Sequence, residues 1–344
     1  MLVPVEGSKS FEDTPQDEWI SAMRRGDFDH AWRISDQILR RRLKSSDPNW
    51  ARPRHLQHLW DGTPLAGKRI LVRCYHGLGD TIQFIRFAAP LRALARDVAI
   101  WCQPELVPLI ATAPGVDRVL PLHDGSPAIE RDLDIEIMEL PHALRITADS
   151  LPGRVPYVFP SRAQCGFFEG GGGGGEEEGE EDEEQEEVCP RVGLVWRAGD
   201  WDGRRSVPIE LLERLGRRMN VRLFALQPAA DRRELAILGA TDAASADLSQ
   251  TAAFVARLDL VITVDTMMAH LAGALAVPTW TLLHADCDWR WMTTRCDSPW
   301  YPSMRLFRQA RSGDWPGVVE AVETALIRVG NGTPGVSAGP QAAE

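Results

Sequence analysis

The stretch RCYHGLGDTIQF, residues 73–84, combines residue types that could do chemistry. An apolar run, RILVRCY, ends at His76. Gly77, Gly79 and Asp80 follow, and then apolar residues recur at helical spacing. Glycines at the end of a strand tolerate positive φ and let a ligand approach the backbone. A carboxylate at that turn can take a proton from a bound hydroxyl. It can equally be an N-cap that satisfies the free amides of the next helix. Spacing alone leaves both readings open for Asp80. Read as G-x-G-x-x-G from Gly77, the third glycine position holds Ile82. That weighs against a nicotinamide or flavin enzyme.

Three further stretches carry polar residues at strand ends. In DLVITVDTMMAHLAGALAVP, residues 259–278, a strand ends at Asp265 and Thr266. A helix then carries His270. Amides at a helix start suit a phosphate, and Thr266 could add a hydroxyl. A capped helix with a core histidine is the plainer alternative. In VGLVWRAGDWDGRRSVP, residues 192–208, Arg204 and Arg205 follow a strand. Two arginines there could neutralise a diphosphate, or simply face water. In residues 286–309, Trp289, Trp291, Trp300 and Tyr301 crowd together. Such aromatics could stack on a base or a sugar, Trp289 and Trp291 first, or fill a gap between domains.

The elements that would position these residues alternate along the chain. Residues 14–44 read as a helical hairpin joined at Gly26-Asp27. Its Gly26-x-Phe28-x-x-Ala31 pattern resembles the second helix start of a tetratricopeptide repeat, but no second copy is found. The plain reading is a helical cap packed on the next domain, the other a partner-binding groove. From 68 to 159, strands RILVRCY, DVAIWCQ, DRVLPL and DLDIEIM alternate with helices TIQFIRFAAPLRALA and PELVPLIATA. Residues 191–329 alternate in the same way. Strands separated by helices imply parallel sheets with right-handed crossovers. Ligands of such sheets sit beyond the carboxyl ends of the strands, so the cleft between the two halves is the default site.

Composition limits the function classes. Eleven acids and no Lys or Arg fall within residues 163–190, and the whole chain has a net charge of −11. The rest is therefore near neutral, which argues against a general nucleic-acid surface. The Gly/Glu run at 169–188 cannot bury apolar area and is expected to be a disordered linker. An acidic tract that binds a basic partner or a cation is the other reading. No run approaches 18 apolar residues, and the N-terminus has no secretory h-region. The six cysteines are scattered without a C-x-x-C pair and read as reduced thiols. These features point to the cytoplasm, or to a cytoplasmic membrane face.

Together, GLGDTIQFIRFAAPLRAL, VDTMMAHLAGAL and DWRW…DSPWYP…RLFRQ resemble glycosyltransferase family 9, the group that includes the heptosyltransferases. The chain is most similar to the branch in which that module follows tetratricopeptide repeats. The resemblance covers residues 60–328. It implies an α/β GT-B fold, two Rossmann-like doubly wound domains facing a cleft. It implies inverting transfer from a nucleotide-diphosphate sugar, with no metal and no cofactor. It implies Asp80 as base, with Asp265, Thr266 and His270 at the donor phosphates and Arg204 and Arg205 at the diphosphate. The chain departs from the family in having arginine in place of lysine in that loop, a long Gly/Glu insert and only one hairpin.

The expected layout is a hairpin at 1–48, an acceptor-side domain at 60–160 and an acidic linker at 161–190. A donor-binding domain at 191–329 and a disordered tail at 330–344 complete it. The expected partners are a nucleotide sugar and an acceptor hydroxyl on a glycan, lipid or protein. The alternatives are a non-catalytic nucleotide-sugar-binding protein of the same fold, a nucleotide-sugar epimerase and a helical-repeat interaction protein.

Overall fold

The structure, a computed structural model, describes residues 14–45, 52–160, 189–199, 202–217 and 220–330. The Gly/Glu run and residues 331–344 lie outside them. Among the described residues, no helix is long and apolar enough to cross a membrane.

Two parallel sheets form the body. The first holds β1 (Arg69–Arg73), β2 (Asp97–Cys102), β3 (Arg118–Pro121) and β4 (Leu133–Glu136), in the order β3-β2-β1-β4. The second holds β5 (Arg191–Val195), β6 (Arg222–Ala225), β7 (Thr241–Asp242), β8 (Leu260–Val264), β9 (Thr279–Leu283) and β10 (Met304–Arg308). Its order is β10-β9-β8-β5-β6-β7. This is the doubly wound order 3-2-1-4-5-6, and the first sheet follows it through its fourth strand. Apolar runs such as Ile70–Val72 and Leu260–Val264 are buried throughout, as parallel strands covered on both faces require. Strands β7 and β10 were not apparent from the sequence pattern, β7 because it is only two residues long.

The N-terminal hairpin forms as predicted. Helix α1 (Pro15–Arg24) starts with a capping box between Thr14 and Asp17, and α2 (Phe28–Lys44) is capped by Asp27. The turn between them places Gly26 at φ +74°, where glycine is favoured.

The helix expected over residues 81–95 is in fact two. Helix α3 spans Leu78–Phe84, a 3-10 turn covers Ile85–Phe87, and α4 spans Ala88–Leu94. Pro90 lacks an N–H, so it belongs to a new first turn and cannot continue the previous helix. Helix α3 packs directly on the helix Met267–Ala274 of the other half. This close approach is what Gly79 permits. A Cβ at Gly79 would lie 2.9 Å from His270 Cδ2 and 3.3 Å from Met267 Cα.

Candidate functional site

Each sheet reverses its strand order between its first and fourth strands, so a crevice opens beyond β1/β4 and another beyond β5/β8. A cavity of about 540 Å³ lies between the halves. Gly77, Gly79 and Asp80 line it from the first half. Arg197, Arg205, Asp265, Thr266, His270, Asp288 and Arg290 line it from the second. The eight residues beyond the ends of β6 and β7 that close its far end are uncharged, Gln227 and Ser245 among them.

Asp80 is held from both sides. The N-cap of α3 is Gly77, and Asp80 is the third helical residue. Its Oδ2 accepts a hydrogen bond from the Gly77 amide at 3.0 Å. Its Oδ1 accepts from Nη2 of Arg290, which belongs to the other half. The expected N-cap role is therefore corrected: Asp80 reaches back to the start of the helix instead of standing there. The expected sharp turn is corrected too. Gly77 has φ −68° and neither Gly77 nor Gly79 has a positive φ. Gly79 serves the close contact with His270 instead.

On the facing side, Thr266 caps the helix Met267–Ala274, its Oγ1 accepting from the Met268 amide at 3.3 Å. Asp265 is 8% exposed, and burial, aided by the nearby Asp288 charge, pushes its carboxyl up to about 6. Arg205 is buried, and its Nη1 donates to the Asp265 carbonyl at 2.7 Å. His270 lines the cavity but is also a packed histidine. Its Nδ1 lies 2.9 Å from the Tyr301 hydroxyl and its ring stacks on Trp291 at 5.4 Å. Burial, then Arg290 and Arg86, drives its pKa well below the ordinary histidine value. A neutral imidazole adds no charge to a diphosphate, so His270 can contribute only shape and a hydrogen bond.

Two expectations fail on geometry. Arg204 is exposed and turned onto Asp202, with contacts of 2.9 Å from both Nε and Nη2. It does not line the cavity. Its neighbour Arg205 does, because the 3-10 turn Gly203–Arg205 points the two side chains apart. Trp289 and Trp291 do not line the cavity either. Trp289 packs edge-on against Trp19 at 5.3 Å and against Trp300 at 6.0 Å. Trp291 is fully buried against His270. They are gap-fillers between elements, not a stacking platform for a base.

Sequence reasoning missed Arg290. It is 9% exposed, and its guanidinium reaches Asp80, Gln83 Oε1 at 2.7 Å and Asp288 Oδ1 at 2.9 Å. It also lies over the Trp289 ring at 4.7 Å. Burial opposes its charge, but Asp288 and Asp80 outweigh burial and raise its pKa. A signal was present: an arginine between two tryptophans in DWRWM is poorly placed for water. Also unforeseen is Glu136, the last residue of β4, 2% exposed and 3.7 Å from His76 Nε2.

Comparison with known proteins agrees with this architecture. Residues 207–311 match the model of glycosyltransferase family 9 (heptosyltransferase). The span includes Asp265, Thr266, His270 and Arg290 and leaves out Asp80, Arg204 and Arg205. Among solved structures, the glycosyl transferase family 9 protein from Veillonella parvula DSM 2008 is 13% identical with a TM-score of 0.56. The alignment covers 77% of this chain and 99% of that one. ADP-heptose lps heptosyltransferase II of E. coli is 15% identical with a TM-score of 0.49, over 76% of this chain and 99% of that one. Protein FlbA of Caulobacter vibrioides is 28% identical over 297 residues, 78% of this chain and 48% of that protein. The chain thus spans about half the length of the curated relative it matches. The family 9 match thus falls within the second half, and the likeness to the family 9 structure shows a GT-B-like α/β fold.

Proposed function

We propose that this chain transfers a sugar from a nucleotide-diphosphate sugar to an acceptor hydroxyl, with inversion, without a metal or cofactor, and with Asp80 as the base. The observation that carries this reading is the shared cavity. Asp80 enters it from one half, and the helix start at Thr266 enters it from the other, with Arg205 beside it. The acceptor hydroxyl attacks the anomeric carbon from the face opposite the leaving diphosphate. Asp80 takes the proton, a contribution of about 10²–10⁴-fold. Arg205 and the amides at the start of the helix Met267–Ala274 stabilise the departing charge. The uncharged far end takes the nucleoside. Free thiols at Cys74, Cys102, Cys189, Cys287 and Cys296 fit a cytoplasmic reaction.

One observation favours a second reading, a protein that binds nucleotide sugar without turnover. Both carboxylate oxygens of Asp80 already have partners, and Arg197 is paired with Glu234. A thermal-shift panel of ADP-, UDP-, GDP- and dTDP-sugars separates the readings. A donor at 100 times its Kd stabilises by about 2.7 kcal/mol. The proposal expects that shift together with donor turnover, and NMR should show the transferred or hydrolysed sugar with inverted anomeric configuration. A shift without any turnover supports the second reading. Retained configuration rules out single displacement with Asp80 as base.

A further inference from the structure

Asp288 and Arg290 reach the cavity from one short segment, Asp286–Met292. Its 3-10 turn, Trp289–Trp291, is capped by Asp288, whose Oδ1 accepts from the Arg290 amide at 2.9 Å. The segment ends at Met292 with φ 55° and ψ −167°. Residues other than glycine rarely adopt that backbone, and it persists only where the surroundings hold it.

The surroundings here are the N-terminal hairpin. Arg24 Nη2 donates to Asp286 Oδ1 at 2.8 Å and to the Cys287 carbonyl at 2.9 Å. The Trp19 ring meets Trp289 edge-on. The Met292 methyl rests on Gly26, 3.4 Å from where a Cβ would stand. The other helix of the hairpin is anchored on the first half. Trp32 Nε1 donates to the Ile146 carbonyl at 2.5 Å, and Asp36 is paired with His142 at 2.8 Å and Arg145 at 2.7 Å. The hairpin therefore bridges both halves and grips the segment that carries Arg290 to Asp80. A cap that only shielded apolar surface would need no polar anchor there.

We infer that the hairpin is a working part of the site, with Arg24 as a positioning residue that fixes Asp286–Met292 so that Arg290 can hold Asp80. The inference rests on the proposed role of Asp80. It acts through Arg290 and adds no group to the reacting atoms.

The test uses the full chain with Arg24→Ala, Arg24→Lys and Asp286→Ala, read by hydrogen exchange and by turnover. In Arg24→Ala, amides of 286–292 should exchange about tenfold faster or more. Amides of α3 should follow, although no bond joins Arg24 to α3, while β8 keeps its rate. Turnover should fall about tenfold with donor affinity held within about twofold. The double variant with Arg290→Ala should be no slower than Arg290→Ala alone, because both changes break one chain of contacts. Lysine at 24 should restore part of the loss. Asp286→Ala removes the same ion pair from its exposed side and should speed exchange in the same two segments, which covers a failure of Arg24→Ala to fold. Faster exchange confined to the hairpin and residues 286–287 would overturn the inference, as would additive losses in the double variant. If the wild type shows no turnover, the transferase reading fails, and the exchange pattern in α3 still decides the role of Arg24.

Discussion

The two crevices share one topology and differ in what fills them. Beyond β5 and β8, Asp265 and Thr266 leave room, and the space is part of the cavity. Beyond β1 and β4, the strand-end carboxylate is engaged by the chain itself. Glu136 accepts from the Met138 amide at 2.7 Å and the Tyr75 amide at 3.4 Å, with His76 beside it. Burial, reinforced by Glu139, pushes the Glu136 carboxyl up to about 8. The carboxylate that faces the cavity from the first half is Asp80, presented from the start of α3 and held by an arginine of the other half. Strand order marks where a site can lie, and the side chains at the strand ends decide what each crevice offers.

The largest expected effect breaks the link between the halves. Arg290→Ala leaves Asp80 and Asp288 without their shared cation. Arg290 is buried but both carboxylates are partly exposed, so losing their hydrogen bonds to it should cost about 2–4 kcal/mol, measurable by denaturant unfolding. Adding Asp80→Asn to that variant should recover part of the loss, since one unpaired charge is gone.

Next comes the contact that joins α3 to the second half. Gly79→Ala forces a Cβ against His270 and the Met267 backbone, and should cost about 1–3 kcal/mol. A wild-type melting temperature in that variant would mean that the halves are less closely fitted than described.

The two neighbouring arginines sharpen the second half of the comparison. Arg205→Ala should weaken nucleoside diphosphate binding about tenfold, the worth of one charge-assisted hydrogen bond. Arg204→Ala should change it less than about twofold, because Arg204 faces Asp202 and solvent. Calorimetric titration of both variants checks the contrast.

The last effect is in pH. Glu136 and Asp265 have folded-state values raised to about 8 and about 6, above unfolded values near ~4. Between those limits the folded state binds more protons than the unfolded chain, so stability falls as pH rises. The contribution is complete below ~4 and is lost as pH passes through about 6 for Asp265 and about 8 for Glu136. Glu136→Gln should flatten the part of the slope between pH 6 and 8.

Much of this was legible in the sequence. Continuous apolar runs bounded by glycine and polar turns marked β1, β5 and β8, and their ends marked Asp80, Asp265 and Thr266. What was not legible depends on tertiary contact. Gly79 carries no sign that a histidine of residue 270 lies against it. Arg204 and Arg205 are adjacent in sequence, and only the local 3-10 turn separates their directions. Trp289 and Trp291 look alike as stacking candidates, and their burial follows from the hairpin and from His270. Arg290 binds Asp80 across 210 residues, a distance at which no local pattern speaks.

The central claim, that Asp80 acts as a base and not only as a structural link, is tested most directly by Asp80→Asn. Asparagine keeps one acceptor oxygen, enough for Gly77 or Arg290 but not both, and takes no proton at neutral pH. The measurement is donor turnover beside donor affinity and melting temperature, in the same preparation. The account predicts turnover lower by about 10² or more, with affinity within about twofold and the fold intact. Normal turnover in Asp80→Asn would contradict it and leave the carboxylate as one side of the Arg290 clamp.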